Sequence, residues 1–326
     1  MRGWWAIGRN NHVRVLKAFL LCVVCQSAVA DKDQVTARQW LDNMNRAMKT
    51  LNYRGTVIFM KNGQLDTMKY RHSVENGVEQ EHLASLNSPM REVTRKSNEV
   101  TCVFKETSQK VVNHHPLDSS FIVNLPQNTA TLEKYYQLGL SGQESIAMLP
   151  TQIVSVEPTD ALRYPRKIWV DTQHFLPLKV EVYNLDGSIL EQVVFTDLMT
   201  DSSAEPHAGN VDDNSFHVKH IHATQAEPFE NARFVLKNWP AGFEPVFFIR
   251  NSIQQSQKAV DHLLISDGFS TVSVYLEAKE SQGMNGLHSL GSVNSFSKVI
   301  GDTQFTVLGE VPAKTVELIA DGIALR

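Results

Sequence analysis

The stretch LKVEVYNLDGSILEQVVF, residues 178–195, decides the kind of fold that this chain can adopt. Its first six residues alternate, so Leu178, Val180 and Val182 point to one face of a strand and the residues between them to the other. Asp186-Gly187 follows, a dipeptide that accepts the positive φ angles of a two-residue hairpin turn. Strands joined by such a tight turn must run antiparallel. The stretch therefore predicts an antiparallel sheet.

The same signals recur along the chain. Asn62-Gly63 and Asn76-Gly77 are further hairpin dipeptides. The strands VIFM, residues 57–60, and VTCVF, residues 100–104, carry apolar side chains on both faces, as ILEQVVF does. A sheet that is apolar on both sides needs cover on both sides. The sequence therefore predicts two covering layers.

One covering layer is an amphipathic helix at residues 35–51. Its apolar residues recur at helical spacing, and they are Ala37, Leu41, Met44, Met48 and Leu51. The other face is left either to a second helix near residues 130–138 or to a cavity for an apolar ligand. The residues alone favour the helix without excluding the cavity.

The first 30 residues have the pattern of a secretory signal peptide. They hold four cations and no acid, then an apolar run at residues 18–25 that is too short to span a bilayer, and Ala28-Val29-Ala30 at the cleavage position. Cys22 and Cys25 lie inside this leader. Cleavage near Ala30 leaves Cys102 as the single cysteine, so no internal disulfide is predicted.

The net charge of the mature chain limits the kinds of partner that it is suited to bind. The leader holds four of the 31 Lys and Arg residues and none of the 35 Asp and Glu residues, which leaves a mature net charge of −8. An acidic exported chain is a poor nucleic-acid binder. Residues 201–216 are acidic and poor in apolar residues, which is typical of a linker. A second β-rich unit follows and ends in a predicted helix at residues 312–323.

The hairpin MKYRHSVENGVEQEHL, residues 68–83, concentrates polar side chains. A two-residue turn at Asn76-Gly77 places His72 opposite Glu81 and Arg71 opposite His82, as cross-strand pairs on a solvated face. A catalytic role is less well supported than a binding surface. Lys69, Arg71 and Arg91 are the predicted contacts for an anionic head group or an acidic peptide.

Enzyme and metal motifs are absent from the sequence. In HVKHIH, residues 217–222, neither a strand nor a helix brings three histidines to one point. No HExxH pattern, phosphate-binding glycine loop or nucleophile elbow occurs. The sequence predicts no enzyme, no metal site and no cofactor, although a metal-dependent hydrolase using His217, His220 or His222 is a further alternative.

Several segments resemble the RseB/MucB family of periplasmic regulators of the sigma-E envelope stress response. Tyr70-Arg71-His72, Arg91-Glu92-Val93 and the run from Trp169 to Val180 carry the likeness in the first half, and Trp239-Pro240-x-Gly242-Phe243 carries it in the second. The Trp169 to Val180 run is also similar to outer-membrane lipoprotein carriers. The likeness to the regulator extends over nearly the whole mature chain.

The resemblance implies an α+β fold. Residues 31–200 would form an unclosed, strongly curved antiparallel β-barrel with plugging helices, as in the carriers LolA and LolB. Residues 201–228 would be a linker, and residues 229–326 a smaller α/β domain. The protein would be a soluble periplasmic negative regulator that binds an anti-sigma factor of the RseA/MucA type, shields it from site-1 proteolysis, and is released by mislocalised lipopolysaccharide or a related lipid.

The resemblance also suggests a lipid-sized cavity on the first sheet. The residues assigned to it are apolar and lie on the predicted strands: Met68, Tyr70, Phe104, Trp169, Val180 and Phe195. The alternative function is a periplasmic lipid or lipoprotein carrier of the LolA type. A homo-oligomer is compatible with the sequence.

Overall fold

A computed structural model describes residues 35–97, 99–113, 120–126, 128–200, 216–221, 226–252, 259–279 and 285–326. The predicted signal peptide, most of the predicted linker and His222 lie outside these residues. Among the described residues, neither α-helix has the length and hydropathy that a bilayer span requires.

The N-terminal region is built on one 12-stranded sheet. Its order is β12-β6-β5-β4-β3-β2-β1-β11-β10-β9-β8-β7, so two different strands form its edges and the sheet is open. All described pairs in it are antiparallel except β6 with β12. The strands are β1 (Tyr53–Lys61), β2 (Gln64–Glu75), β3 (Val78–Ser85), β4 (Arg91–Lys96), β5 (Glu99–Phe104), β6 (Gln109–Asn113), β7 (Tyr136–Ile146), β8 (Leu149–Pro158), β9 (Arg166–Asp171), β10 (Pro177–Tyr183), β11 (Ile189–Thr200) and β12 (His217–Ile221).

The predicted two-residue turns at Asn62-Gly63 and Asn76-Gly77 are confirmed. The strands around Asp186-Gly187 also pair as a hairpin, but the prediction of a two-residue turn there is wrong, because residues 184–188 form a longer loop between the paired Tyr183 and Ile189. Asn62 and Asn76 have positive φ, as do the glycines that follow them, because a two-residue turn between twisted strands requires left-handed backbone. In the second hairpin Glu75 aligns with Val78, and His72 aligns with Glu81. The antiparallel sheet that the alternation predicts is therefore present, in the predicted register.

Helix α1 (Ala37–Thr50) covers one face of this sheet. It starts at Thr36, whose hydroxyl accepts from the Gln39 N–H while the Gln39 side chain accepts from the Thr36 N–H, which is a capping box. Its buried residues are Ala37, Leu41, Met44, Ala47 and Met48. The predicted apolar stripe is confirmed, apart from Leu51, which caps the end of the helix and is half-buried.

The prediction of a second helix near residues 130–138 is wrong. A short 3-10 helix occupies Thr129–Lys134, and strand β7 begins at Tyr136. The Tyr135-Tyr136 pair explains the difference. Tyr136 is buried in the interior as a strand residue, and aromatic residues fit a sheet better than a helix.

The C-terminal region is a smaller, mostly β unit. A six-stranded antiparallel sheet runs in the order β14-β15-β16-β19-β18-β17, beside a two-stranded sheet of β13 and β20. Helix α2 (Ala313–Asp321) packs Val316 and Ile319 into its core. The strands are β13 (Phe234–Leu236), β14 (Glu244–Ser252), β15 (Ala259–Ser266), β16 (Thr271–Ala278), β17 (Gly286–Leu290), β18 (Val293–Ile300), β19 (Thr303–Gly309) and β20 (Ile323–Leu325). The predicted α/β class of this region is wrong, because every described strand pair in it is antiparallel.

Candidate binding site

The polar hairpin of β2 and β3 presents two different faces. His72 and Glu81 lie on the face that α1 covers, and they are 0% and 1% exposed. The prediction that this pair lines a solvated face is wrong, because the helix end and a segment further along the chain bury it. Arg71 and His82 lie on the opposite face, as the alternation of a strand requires.

Glu81 is the centre of the buried polar cluster. Its Oε1 accepts from the Tyr70 hydroxyl at 2.6 Å and from the Ser120 hydroxyl at 2.7 Å. Its Oε2 accepts from Arg95 Nε at 2.9 Å and from the Phe121 N–H at 3.3 Å. A buried carboxylate is stable only when its oxygens are paired in this way.

The aromatic and histidine members tie the cluster to α1. The Tyr53 and Tyr70 hydroxyls lie 3.2 Å apart, and His72 Nδ1 donates to the Leu51 carbonyl at the end of the helix at 2.7 Å. Burial, with the nearby Glu81 carboxylate, raises the pKa of both tyrosines, so both stay neutral. His72, whose Nε2 lies 3.3 Å from Glu79 Oε1, and Arg95 lower the pKa of Glu79 to about 2, although burial alone would raise it.

Glu81 thereby holds the segment of residues 120–126 against the sheet. Ile122 and Val123 of this segment are buried in the core cluster, and Phe121 and Leu125 pack beside them. Two cavities lie along the segment, and Ser120, Val123 and Asn124 line both of them. The segment therefore forms a shared wall between two spaces on the covered face of the sheet.

The larger cavity has a volume of about 460 Å³. Met48 and Lys49 of α1 line one side, the cluster residues Glu81 and Arg95 line another, and Leu264 of the C-terminal region also lines it. The smaller cavity, about 260 Å³, lies over β1, β10 and β11. Both are bounded by residues from the two regions, so binding in either one is sensitive to how the regions dock.

The residues predicted to contact lipid do not share one environment. Met68, Tyr70, Val180 and Phe195 are buried in the same core cluster under α1, and Val180 also lines the smaller cavity. Phe104 is 37% exposed at the end of β5 and lies outside that cluster.

Trp169 lies on the opposite face from Val180, so assigning both to one cavity is wrong. The pairing register shifts between Pro177 and Lys179, and Trp169 aligns with Lys179 while Val180 aligns with Ile168. The Lys179 ammonium lies 4.2 Å from the centre of the Trp169 ring, and Trp169 Nε1 donates to Glu144 at 2.9 Å.

The three predicted cations are also divided between the faces. Lys69 and Arg71 line a groove of about 440 Å³ on the face away from α1, together with Arg54 and His82. The strand pairing places Arg91 on the same face as Met68 and Ser85, which is the face opposite to Lys69 and Arg71. Arg91 forms an ion pair there with Asp66 at 2.6 Å. A single anion cannot therefore contact all three, because the sheet lies between them.

Arg163 joins the two regions. Its side chain is fully buried and donates to Asp267 at 2.6 Å, and also to Asp160 and to the Ala241 carbonyl. Its guanidinium lies over the Phe243 ring at 4.9 Å. The Trp239-Pro240-x-Gly242-Phe243 motif thus packs against the first region, a role that sequence reasoning missed because no local pattern marks a long-range contact.

Other reactive groups form no site among the residues that the structure covers. No group of three or more His, Cys, Asp or Glu is arranged there to hold a metal ion. His217 and His220 lie on β12, and His222 falls outside the described ranges. Burial raises the pKa of the Cys102 thiol, which makes it less reactive.

These features define a class, namely a two-region, mostly β protein with cavities and a groove on its first sheet. The family models agree with this organisation: MucB/RseB N-terminal domain matches residues 36–217, and MucB/RseB C-terminal domain matches residues 228–324. The chain belongs to the MucB/RseB family.

Curated relatives match over nearly their full length. The Sigma-E factor regulatory protein RseB of Salmonella typhimurium is 25% identical over 299 residues, which cover 88% of this chain and 90% of that protein. The Sigma factor AlgU regulatory protein MucB of Pseudomonas aeruginosa is 25% identical over 309 residues, which cover 93% of this chain and 95% of that protein. These relatives are named as regulators of sigma factors.

Solved structures agree with the fold. A crystal structure of MucB in complex with MucA(peri) is 25% identical, covers 89% of this chain and 99% of that chain, and has a TM-score of 0.68. The complex structure of Pseudomonas aeruginosa MucA/MucB matches with the same identity and coverage and a TM-score of 0.71. The likeness therefore includes both regions of the chain.

Proposed function

We propose that this protein is a periplasmic negative regulator that binds the periplasmic part of an RseA/MucA-type anti-sigma factor and shields it from site-1 proteolysis. The observation that supports this function most directly is the match, over both regions, to MucB in a crystal structure of its complex with MucA(peri). The regulatory names of the curated relatives support the same conclusion. The function is one of binding rather than catalysis.

We further propose that mislocalised lipopolysaccharide or a related lipid releases the partner. A lipid that binds only the free protein lowers its affinity for the partner, and the partner opposes the lipid by the same factor. The cavities on the covered face of the sheet support this step, because ligands bind preferentially in concave sites at the junctions of domains. In this view the first region is a LolA-like half-barrel, and the second distinguishes a regulator from a carrier.

The chain organisation proposed with this function has residues 1–30 as a signal peptide, 31–200 as the carrier-like domain, 201–228 as a linker and 229–326 as the smaller domain. Within the linker, residues 217–221 form β12 and pair with the first sheet. The partner peptide would lie across the linker and the second domain. On the opposite face of the sheet, Lys69 and Arg71 are proposed to meet acidic groups of a head group or a peptide.

Binding and protection test this function together. The purified mature protein is titrated with the periplasmic segment of the anti-sigma factor from the same organism, and the segment is then exposed to its site-1 protease with and without the protein. We expect binding and slower cleavage, both reversed by lipopolysaccharide. Transfer of bound lipid to acceptor vesicles without binding of the segment would instead support the carrier.

A further inference from the structure

The face of the first sheet that points away from α1 carries a row of basic side chains. Arg54 of β1 aligns with Arg71 of β2, and Arg71 aligns with His82 of β3, so the three are direct neighbours across the strands. Lys69 lies on the same face, two residues before Arg71. Like charges directly opposite each other destabilise a sheet. Positive charge is therefore concentrated here, in a chain whose net charge is −4.

The acids around this row supply less charge than the basic groups do. Among the described residues that line the groove, Asp197 is the one carboxylate, and its Oδ2 accepts from the Thr56 N–H at 3.2 Å. Lys69 Nζ donates to Thr56 Oγ1 at 2.7 Å, which uses one of the three donors of an ammonium group. Within the ranges that the structure covers, the Arg71 guanidinium forms no hydrogen bond or ion pair. The groove thus has donors available for an anionic ligand.

The shape of the groove suits a ligand larger than a single small anion. Its volume of about 440 Å³ lies within the range of about 300–1,000 Å³ that is typical of ligand sites. Ala84 lines it opposite Lys69, and Met199, which is 57% exposed, lines it opposite Arg54. Apolar surface therefore adjoins the basic row, and a peptide can contact both.

The spacing of the basic groups along β2 matches that of an extended peptide. Lys69 and Arg71 occupy alternate positions of one strand, so their Cα atoms are about 7 Å apart. An extended peptide also places every second side chain on one face, with the same repeat. Carboxylates at alternate positions of such a peptide can therefore meet both basic groups at once.

We propose that this groove binds an extended acidic segment of a protein partner, whose carboxylates at alternate positions accept from Lys69 and Arg71. A carboxylate can accept two parallel hydrogen bonds from one arginine. Arg54, across from Arg71, adds to the positive potential that attracts the segment.

This inference deepens the proposed function and rests on it for the identity of the partner, which is the periplasmic part of the anti-sigma factor. The groove is distinct from the two cavities described above, because it lies on the face away from α1 and they lie on the covered face. Binding in the groove is measured without the anti-sigma segment, so the two proposals can fail separately.

The test uses the full mature protein and three octapeptides, titrated by NMR at low ionic strength. The alternating peptide is Ser-Asp-Ser-Asp-Ser-Asp-Ser-Asp, and the paired peptide, of equal composition, is Ser-Asp-Asp-Ser-Ser-Asp-Asp-Ser, in which no two acids are two residues apart. The third has Asn in place of each Asp of the alternating peptide. We expect the alternating peptide to bind about fivefold more tightly than the paired one and the Asn peptide not to bind. Added salt should weaken binding, because it screens exposed charges.

Substitutions on the two faces of the sheet locate the binding site. Arg71→Gln and Lys69→Gln should each weaken the alternating peptide about fivefold and remove its advantage over the paired peptide. The matched control is Arg91→Gln, which removes a cation from the opposite face, where Arg91 pairs with Asp66. The control should bind both peptides like the wild type.

Equal affinity of the wild type for the two acidic peptides would overturn the proposal, as would an Arg71→Gln protein with unchanged affinity for the alternating one. Inorganic phosphate that displaces this peptide at equal concentration would also overturn it, because the groove would then select a single anion such as a lipid head group. A gain of peptide binding only after the acids of residues 201–216 are changed to amides would assign the groove to the chain's own acids and overturn the partner.

Binding of the anti-sigma segment is measured with the same proteins. A segment that binds the wild type and Arg71→Gln equally would overturn the groove as its docking surface and leave the proposed function intact. Peptides that bind as expected beside a segment that does not bind would instead contradict the proposed function.

Discussion

At the scale of single residues, the buried polar cluster shows how much one carboxylate can organise. Glu81 receives four donors, two from the sheet and two from residues 120 and 121. Alternation along β2 and β3 places His72 and Glu81 on one face, which the sequence predicts. Their burial depends on α1 and on the segment of residues 120–126, which lie elsewhere in the chain.

Replacing this carboxylate tests the cluster. Glu81→Gln removes the charge that pairs with Arg95, itself 7% exposed, and replaces one acceptor oxygen with an NH2 group that faces donors, although Arg95 keeps its pair with Glu79. We expect a loss of about 3 kcal/mol in the free energy of unfolding, measured in urea, because breaking a buried ion pair costs about that much or more.

The matched control is Glu133→Gln. Glu133 pairs with Arg38 on the surface, where the two side chains are 48% and 45% exposed. Exposed pairs contribute about 0–1 kcal/mol, so this variant should resemble the wild type. Equal losses in the two variants would show that Glu81 does not organise the cluster.

Glu79 gives the cluster a pH dependence. Its pKa is lowered from 4.5 to about 2 in the folded protein. Its contribution to stability is therefore complete above about pH 4.5 and is lost as the pH falls towards 2. In urea unfolding across that window, Glu79→Gln should flatten the decline relative to the wild type. A parallel decline in both proteins would exclude Glu79 as its source.

At the scale of elements, the turn of residues 266–270 supports the wall between the cavities. The Asp267 carboxylate accepts from the N–H groups of Phe269 and Ser270, at 3.0 and 2.8 Å. Gly268 has a φ of +98°, and a Cβ there would lie 2.7 Å from Pro126 Cβ. The turn thus packs directly on the segment of residues 120–126.

Gly268→Ala should therefore lower the free energy of unfolding by more than the same substitution at an ordinary turn glycine. The control is Gly301→Ala, where φ is +61° and a Cβ would meet nothing within 4 Å. The control should lose about 1–2 kcal/mol from left-handed backbone alone. Gly268→Ala should lose about 1–3 kcal/mol more in thermal or urea unfolding, because the added methyl overlaps Pro126. Equal losses in free energy of unfolding for the two variants would mean that the segment of residues 120–126 moves to accommodate the added methyl group.

At the scale of the whole molecule, the two regions pack as one compact unit over residues 35–326. The buried pair of Arg163 and Asp267 lies at their contact, and Tyr136 also donates to Asp267 at 2.7 Å. Asp267 belongs to the same turn that supports the segment of residues 120–126. Docking of the regions and the shape of the cavities are therefore physically connected.

Arg163→Met tests that connection. It leaves Asp267 buried without its cation, so we expect a loss of about 3–5 kcal/mol and a separate unfolding transition for each region in calorimetry. Arg233→Met is the control within the C-terminal region, since Arg250 still pairs with Asp261 at 3.0 Å after the change. A single unshifted transition for Arg163→Met would contradict a role for this pair in joining the regions.

Features that depend on neighbours along the chain could be predicted from the residues alone. Alternation and the Asn-Gly and Asp-Gly turns predicted the hairpins, and helical spacing predicted α1, because side-chain direction and turn geometry are local properties. The order of short motifs indicated the family.

Which of these faces are buried, and which residues pair across them, depends on contacts between distant parts of the chain. Trp169 and Val180 separate because the register shifts between β9 and β10, and Arg91 lies on the opposite face from Arg71 because of pairing across β3 and β4. Glu81 accepts from Arg95 and Ser120, 14 and 39 positions away, and Arg163 donates to Asp267, 104 positions away. Burial and pairing over such separations result from packing of the whole chain, which no local pattern encodes.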